Sequence, residues 1–146
     1  MIKNKSNLVW TDEDYSQLGW SMSRLYGLIL PGRQHCLSLQ LDYVLESPLR
    51  KTTHGVWKVA PAKLDFFDVI DLKIKMKQRN FSEVTFVSLE RSNMRPTPNG
   101  KLIYWDYRIE FSPDALIEFT STGFRQLLIG DVETTEFQDL DREMSF

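Results

Sequence analysis

Hydrophobic and polar residues alternate one by one along two stretches of this chain, and both read as amphipathic strands. In Cys36–Glu46, Leu37, Leu39, Leu41, Tyr43 and Leu45 share one parity, while Ser38, Gln40, Asp42 and Glu46 take the other. In Leu102–Phe111, Ile103, Trp105, Tyr107, Ile109 and Phe111 face one way, and Tyr104, Asp106, Arg108 and Glu110 face the other. A period of two marks a strand with one dry and one wet face; a helix would scatter the same residues around its circumference. Only Val44 breaks the polar face of the first stretch.

Shorter patterns fill in the rest. Ser23–Leu30 predicts a strand that Pro31-Gly32 ends with a turn. Val56–Ala60 predicts a short strand stopping at Pro61, which has no N–H to give to a ladder. Ala62–Met76 is too long for one simple strand. The doublet Phe66-Phe67 inside it predicts a bend or bulge, with apolar surface needed on both sides. Lys73, Lys75 and Lys77 alternate with apolar residues and should face solvent. Glu83–Arg91 predicts a strand with Val84 and Phe86 on one face and Val87 and Leu89 on the other. A long hairpin loop, Ser92–Gly100, follows. Ala115, Ile117 and Phe119 form the inner face of the next strand, and Phe124–Ile129 is the last one.

Helical signals are confined to the ends. Thr11 before Asp12-Glu13-Asp14 can cap a short helix whose dipole favours the acids. Phe137, Leu140 and Met144 recur at helical spacing in an acidic C-terminal extension, residues 131–146, which is either a short helix or disordered. The expected fold is mainly β: an antiparallel meander of about eight strands forming a sandwich or partly open barrel, with one or two short helices at the termini.

Composition narrows the partners. A chain of 146 residues suits a single domain, residues 1–146. The net charge of −2 supplies no field to draw the whole chain onto nucleic acid or an anionic membrane, and neither is expected as a partner. Cys36 is the only cysteine, so no intrachain disulfide forms; a reducing, cytoplasmic location fits. The N-terminus lacks the apolar core of a secretory signal, and no apolar run approaches the ~20 residues of a membrane helix.

Candidate chemistry is sparse. His35, Cys36 and His54 are the only soft or imidazole ligands. Neighbours on a strand point to opposite faces, so His35 and Cys36 do not share an ion; neither a metal nor a cofactor is expected. Asp65, Asp68 and Asp71 are spaced by three. A bulge at Phe66-Phe67 could bring two of them together for acid–base work, against the ordinary reading of carboxylates on a wet sheet face. No serine sits in a nucleophile elbow, and the 7 glycines never cluster into a phosphate loop. Lys73, Lys75, Lys77 and Arg79 make a basic stripe, but lysines on a strand also guard against edge-to-edge aggregation. Trp57, Tyr104 and Phe137 are large apolar groups near polar or terminal segments, the placement of a partner-binding patch. Asp68, Asp71, His54 and Arg108 are the polar residues to watch for a ligand site.

Three segments then support a resemblance. Trp20 to Leu28 (WSMSRLYGL), Leu39 to Glu46 (LQLDYVLE) and Trp57 to Ile74 (WKVAPAKLDFFDVIDLKI) resemble a family of uncharacterised bacterial proteins. That family carries a W-H-D segment, an L-D-x-D-Y-[IV]-x-E strand and an APA-x-L-x-F-x-x-V segment. The likeness spans residues 20–142 and implies no established activity. Ser21-Met22 stand where the pattern has His-Asp: a catalytic or metal role of that pair would be lost here, whereas a structural hydrogen bond would be partly replaced by Ser21. A similar strand start occurs in small toxin-immunity proteins. The resulting expectation is a non-enzymatic module, immunity-like, that binds another protein. The alternative is a small-ligand-binding barrel or enzyme with an acidic site near Asp68. Oligomeric state is not legible in these patterns.

Overall fold

Alternation sets the central strands, and a few turn residues set where they bend. The computed structural model describes residues 9–46, 57–77 and 83–135. Within them run β1 (Val9–Thr11), a 3-10 helix (Asp12–Gln17), β2 (Arg24–Ile29), β3 (Leu37–Glu46), β4 (Trp57–Phe67) and β5 (Ile70–Met76). β6 (Val84–Pro96), β7 (Ile103–Ser112), β8 (Ala115–Ser121), β9 (Gly123–Leu128) and β10 (Glu133–Thr135) complete the order. The ten strands form one antiparallel sheet in the order β1-β9-β4-β3-β2-β6-β7-β8-β5, with β10 beside the start of β4. The mainly-β antiparallel class expected from the sequence is what forms. Eight main strands are joined by β1 and β10, of three residues each, which are too short for alternation to reveal. The expected N-terminal helix is a 3-10 helix, and Thr11 N–H donates to Asp14 Oδ2 at 2.9 Å at its start. Part of the 131–146 extension is strand, since Glu133–Thr135 pairs with Trp57–Val59. Phe137, Leu140 and Met144 lie outside the described residues.

The sheet curls because of one corner. β4 and β5 are joined by only Asp68 and Val69, yet they stand third and last along the strand path. Two linking residues reach roughly 10 Å at most, so the path must bend round to bring its two halves together. β8 and β9 do the same through Thr122 alone. The two-stranded ribbon β4–β5 against β8–β9 therefore bends as a unit, and the sheet becomes an open barrel bridged by chain continuity rather than by a closing ladder. Ser121 Oγ donates to Phe67 O at 2.6 Å, Thr122 N–H to the same carbonyl at 3.1 Å, and Thr122 Oγ1 to Asp68 Oδ2 at 2.7 Å. Asp68 and Asp71 take left-handed backbone, φ 51° and 55°, one on each side of the bend. The irregularity expected at Phe66-Phe67 is this corner.

Pro61 does not end a strand, contrary to expectation. β4 runs through it, pairing Pro61 with Asp42 of β3. Ile129 N–H donates to Pro61 O at 2.8 Å, so the proline's polar side faces away from β3. An N–H and C=O of one residue in an antiparallel pair point to the same neighbour. The missing donor of Pro61 therefore faces Ile129, just past the end of β9, so at most one bond at the end of the β4–β9 ladder is lost.

The core lies inside the curl. Leu37, Leu39, Leu41 and Tyr43 of β3 meet Ala62, Leu64 and Phe66 of β4, and Phe86, Tyr107, Ile109, Ile117, Phe119 and Phe124 from the facing strands. Phe66 anchors an aromatic cluster, with ring centroids 5.0 Å from Tyr107, 4.7 Å from Phe119 and 5.7 Å from Phe124. Trp20 closes it, and its indole N–H donates to the buried Gln126 Oε1 at 2.7 Å. Tyr107 and Trp105 take the core side, as their parity predicted, although Trp105 is only half-buried.

Three facing assignments change. A register shift between Phe86 and Ser88 turns Leu89 back into the core with Phe86, while Val87 is exposed. Ile103 is exposed because β7 continues past its last pair with β8, Trp105↔Ser121. On β3 the outer face is not simply wet: Ser38 and Asp42 are buried, as is Val44, and only Gln40 is exposed.

Candidate functional site

The β6–β7 hairpin projects as an arm, because the bulged end of β6 outlasts its other partner. β2 pairs β6 only at Arg24↔Thr85 and Leu25↔Val84. From Ser88 to Pro96, β7 is the one strand beside β6 among the described residues. Ser92–Pro96, expected as loop, is strand. The turn beyond it is tightly self-bonded: Gly100 N–H donates to Thr97 O at 2.8 Å, and Leu102 N–H to the same carbonyl's residue at Thr97 Oγ1, 3.2 Å. The Thr97 hydroxyl in turn donates to Asn99 Oδ1 at 2.7 Å. Pro96 stands opposite Ile103, and Met94 is two residues before Pro96, so all three share one side of the arm. Met94 and Ile103 are 62% and 41% exposed, and Leu102 at the tip is 52% exposed.

Two devices fix the arm. At its root, the Arg91 guanidinium lies between the faces of Tyr15 (4.1 Å) and Trp105 (4.2 Å) and donates to Asp12 O at 3.3 Å. This ties the 3-10 helix to the hairpin. Along its length, Asp106 receives Asn93 Nδ2 at 2.8 Å, Thr120 Oγ1 at 2.7 Å and Arg95 Nη2 at 3.1 Å. Asn93 takes left-handed backbone, φ 56°, inside the bulge that offsets Ser92↔Asp106 from Arg95↔Tyr104. The Asn93 amide first, then the Thr120 hydroxyl and Arg95, hold the Asp106 carboxyl below its ordinary range, against a smaller opposing effect of burial.

Beside the arm, an open pocket of about 580 Å³ crosses the outer face of four strands. Asp71 and Lys73 of β5, Glu118 and Thr120 of β8, and Asp106 and Arg108 of β7 line it. Arg108 is already engaged, with Nε 3.2 Å from Glu110 Oε1 and Nη1 3.6 Å from Glu118 Oε2.

A third cluster crosses the outer face of β3, β4 and β9. Register puts Ser38 opposite Asp65 and Asp65 opposite Arg125, so the three form one row across the sheet. Ser38 Oγ donates to Asp65 Oδ1 at 2.6 Å, and Arg125 Nη2 lies 3.4 Å from Asp65 Oδ2. Lys63 Nζ is 3.7 Å from Asp65 Oδ1. These partners compensate a carboxylate whose side chain is 3% exposed, a burial that would otherwise cost several kcal/mol.

The structure separates most of the residues singled out in the sequence. Asp71 and Arg108 share the pocket beside the arm, and Tyr104 sits on the arm with Arg95 5.7 Å from its ring centre. Asp68 is at the corner, bonded to Thr122. The three spaced aspartates do not form an acid pair: Asp65 bonds Ser38 and Arg125, Asp68 bonds Thr122, and Asp71 lines another pocket. Trp57 begins β4, ten residues up the strand from Phe67 at the corner. Tyr104 stands on β7, four places along the strand path from β4, so the two aromatics sit on strands that do not pair. Phe137 and His54 lie outside the described residues. Among the described residues, no three His, Cys, Asp or Glu side chains gather as a metal site, and no helix is long and apolar enough to cross a membrane.

Ser21 and Met22 occupy a turn in which Ser23 N–H donates to Trp20 O at 2.9 Å and Met22 N–H to Phe86 O at 2.9 Å. Met22 is left-handed there, φ 72°. The clusters at Asp106 and Asp65 escaped sequence reasoning because their members meet only through strand register. The one signal present was their shared outward parity.

No family model matches the chain, and neither a curated protein nor a solved structure does.

Proposed function

We propose that this chain is a non-enzymatic protein-binding module whose contact surface is centred on the β6–β7 arm. The observation that carries the reading is the apolar side of the arm. Met94, Pro96 and Ile103 line one side of a ribbon that extends past the neighbouring strand pairs, with Leu102 at its tip. Exposed apolar groups gathered on a rigid projection are costly in water unless a partner covers them. Exposed Lys101 lies next to Leu102 at the tip, so the matching partner surface is apolar with an acidic group at its rim. Asp106 and Arg91 keep the arm in one conformation, which lowers the ordering cost of binding.

The interior favours this reading over a ligand-binding barrel, because the rings of Phe66, Tyr107, Phe119 and Phe124 pack against one another inside the curl. A photo-crosslinking residue placed at Ile103 should trap a discrete protein in cells, and the same residue at Trp57 should not. The trapped protein, purified, should bind the wild-type chain. Met94→Asp with Ile103→Asp should weaken that binding at least about tenfold with an unchanged melting temperature. Equal trapping at both positions, or full affinity of the double variant, would refute the arm as the contact.

A further inference from the structure

We propose that the outer face of β3, β4 and β9 carries a second site, one that binds a small organic phosphate monoester. It is separate from the arm, and it rests on different residues. The β2–β3 connection folds over the Ser38–Asp65–Arg125 row and walls an open pocket of about 620 Å³. That is ample for a small metabolite.

Charge is the first argument. Arg33, Lys63 and Arg125 line this pocket, and Asp65 is the single acid among its described lining residues. One buried carboxylate offsets one of three cations and leaves a local surplus of two positive charges. Asp65 also aligns the two strand cations: it holds Arg125 and Lys63 from below, through opposite oxygens, while their side chains remain 47% and 40% exposed. The cations are therefore positioned yet still hydrated at their outer edges, ready to exchange water for an oxyanion. A phosphate monoester is close to doubly charged above about pH 6, which matches that surplus.

Shape and polarity supply the rest of the ligand. Apolar groups also line the pocket: Phe67 on β4 is half-buried, and Ile29 and Leu30, on the β2 side, are 50% and 59% exposed. The Arg125 guanidinium lies 5.8 Å from the Phe67 ring centre, so charged and apolar groups adjoin. The ligand this assembles is a phosphate attached to a compact apolar or aromatic body. Inorganic phosphate would meet only the charged groups.

The test is a titration of the isotope-labelled full chain with phenyl phosphate, inorganic phosphate and benzoate, followed by amide NMR shifts at low salt. Phenyl phosphate should give saturable shifts at Cys36, Lys63, Phe67 and Arg125. It should bind about tenfold more tightly than inorganic phosphate and weaken as salt is raised. Affinity should also fall when pH drops below about 6, where the monoester loses its second charge. Arg33→Gln and Lys63→Gln leave the Ser38–Asp65–Arg125 row intact, and each should weaken phenyl phosphate at least about fivefold without lowering the melting temperature. Unsaturable shifts, shifts elsewhere on the surface, or wild-type affinity in both variants would overturn the site. Benzoate binding as tightly as phenyl phosphate would overturn the phosphate assignment.

Discussion

Tyr107 shows at the level of one residue how this core resists change. Its ring stacks on Phe119, 5.4 Å between centroids and 15° from parallel, and meets Phe66 edge-on. Burial pushes its phenol up to about 12 from 10.0, while the nearby Arg91 charge works in the opposite direction. The sign of the consequence follows. Above pH 10 the unfolded chain gives up this proton and the folded chain keeps it, so folding becomes less favourable as pH rises. Stability from this group is fully present below pH 10 and is lost between pH 10 and about pH 12, by on the order of 2 kcal/mol. Urea unfolding across that range should show the loss in the wild type. Tyr107→Phe should lack this part of the slope, and the difference between the two curves isolates it from other tyrosines and lysines. Identical slopes would mean that the hydroxyl is already solvated in the fold.

At the scale of elements, what the sequence disclosed depended on whether an element's partners lay on one side or both. β7 was legible from Trp105 to Phe111 because one face meets the core and the other meets water. β3 was legible in its position but not in its outer face. Ser38 and Asp42 look solvent-facing in the pattern, yet cross-strand partners and covering segments bury them, and no local rule announces those. β4 was misread at Pro61 because the rule against proline in strands concerns a lost donor, and here that donor would lie only at the end of the β4–β9 ladder, beside Ile129. The arm was misread as loop because its bulge hides the alternation. Asn93, Arg95 and Thr120 converge on Asp106 from β6 and β8, across distances that only register specifies. Asp106→Asn should therefore loosen the arm without unfolding the barrel. Amide exchange should accelerate across residues 93–104 while the core strands keep their protection, with the melting temperature shifted only slightly. The low carboxyl range of Asp106 gives a parallel readout: its tether is intact above the usual Asp range and is lost as pH falls through its lowered value, so wild-type exchange in the arm should rise on acidification. Uniform exchange changes over the whole chain would instead make Asp106 a global stabiliser.

For the whole molecule, the corner is the decisive feature, because it converts a meander into a curled sheet with one core. The sequence marked its place through Phe66-Phe67 but not its consequence, since the return strand that bends with it is over fifty residues away. Gly123 carries that return strand through the bend at φ 152°, opposite Phe67, and a Cβ there would come within 2.8 Å of Asp12 Oδ1. The 3-10 helix, through Asp12, thus rests directly on the corner. Two costs fall on Gly123→Ala: a backbone conformation that side chains rarely adopt, and displacement of Asp12 with the 3-10 helix behind it. Together they should destabilise the fold by about 1–3 kcal/mol. A double-mutant cycle separates them. Asp12→Ala removes the steric part, so Gly123→Ala should cost less in that background by about 0.5 kcal/mol or more, leaving the backbone part behind. The same cycle read through Arg91 links the corner to the arm, since Arg91 is bonded to Asp12 O and stacked on Tyr15 and Trp105. If the helix transmits the corner's geometry to the arm, Gly123→Ala should speed amide exchange at residues 91–105 as well as at the corner. Exchange altered at the corner alone would confine the glycine's role to the bend.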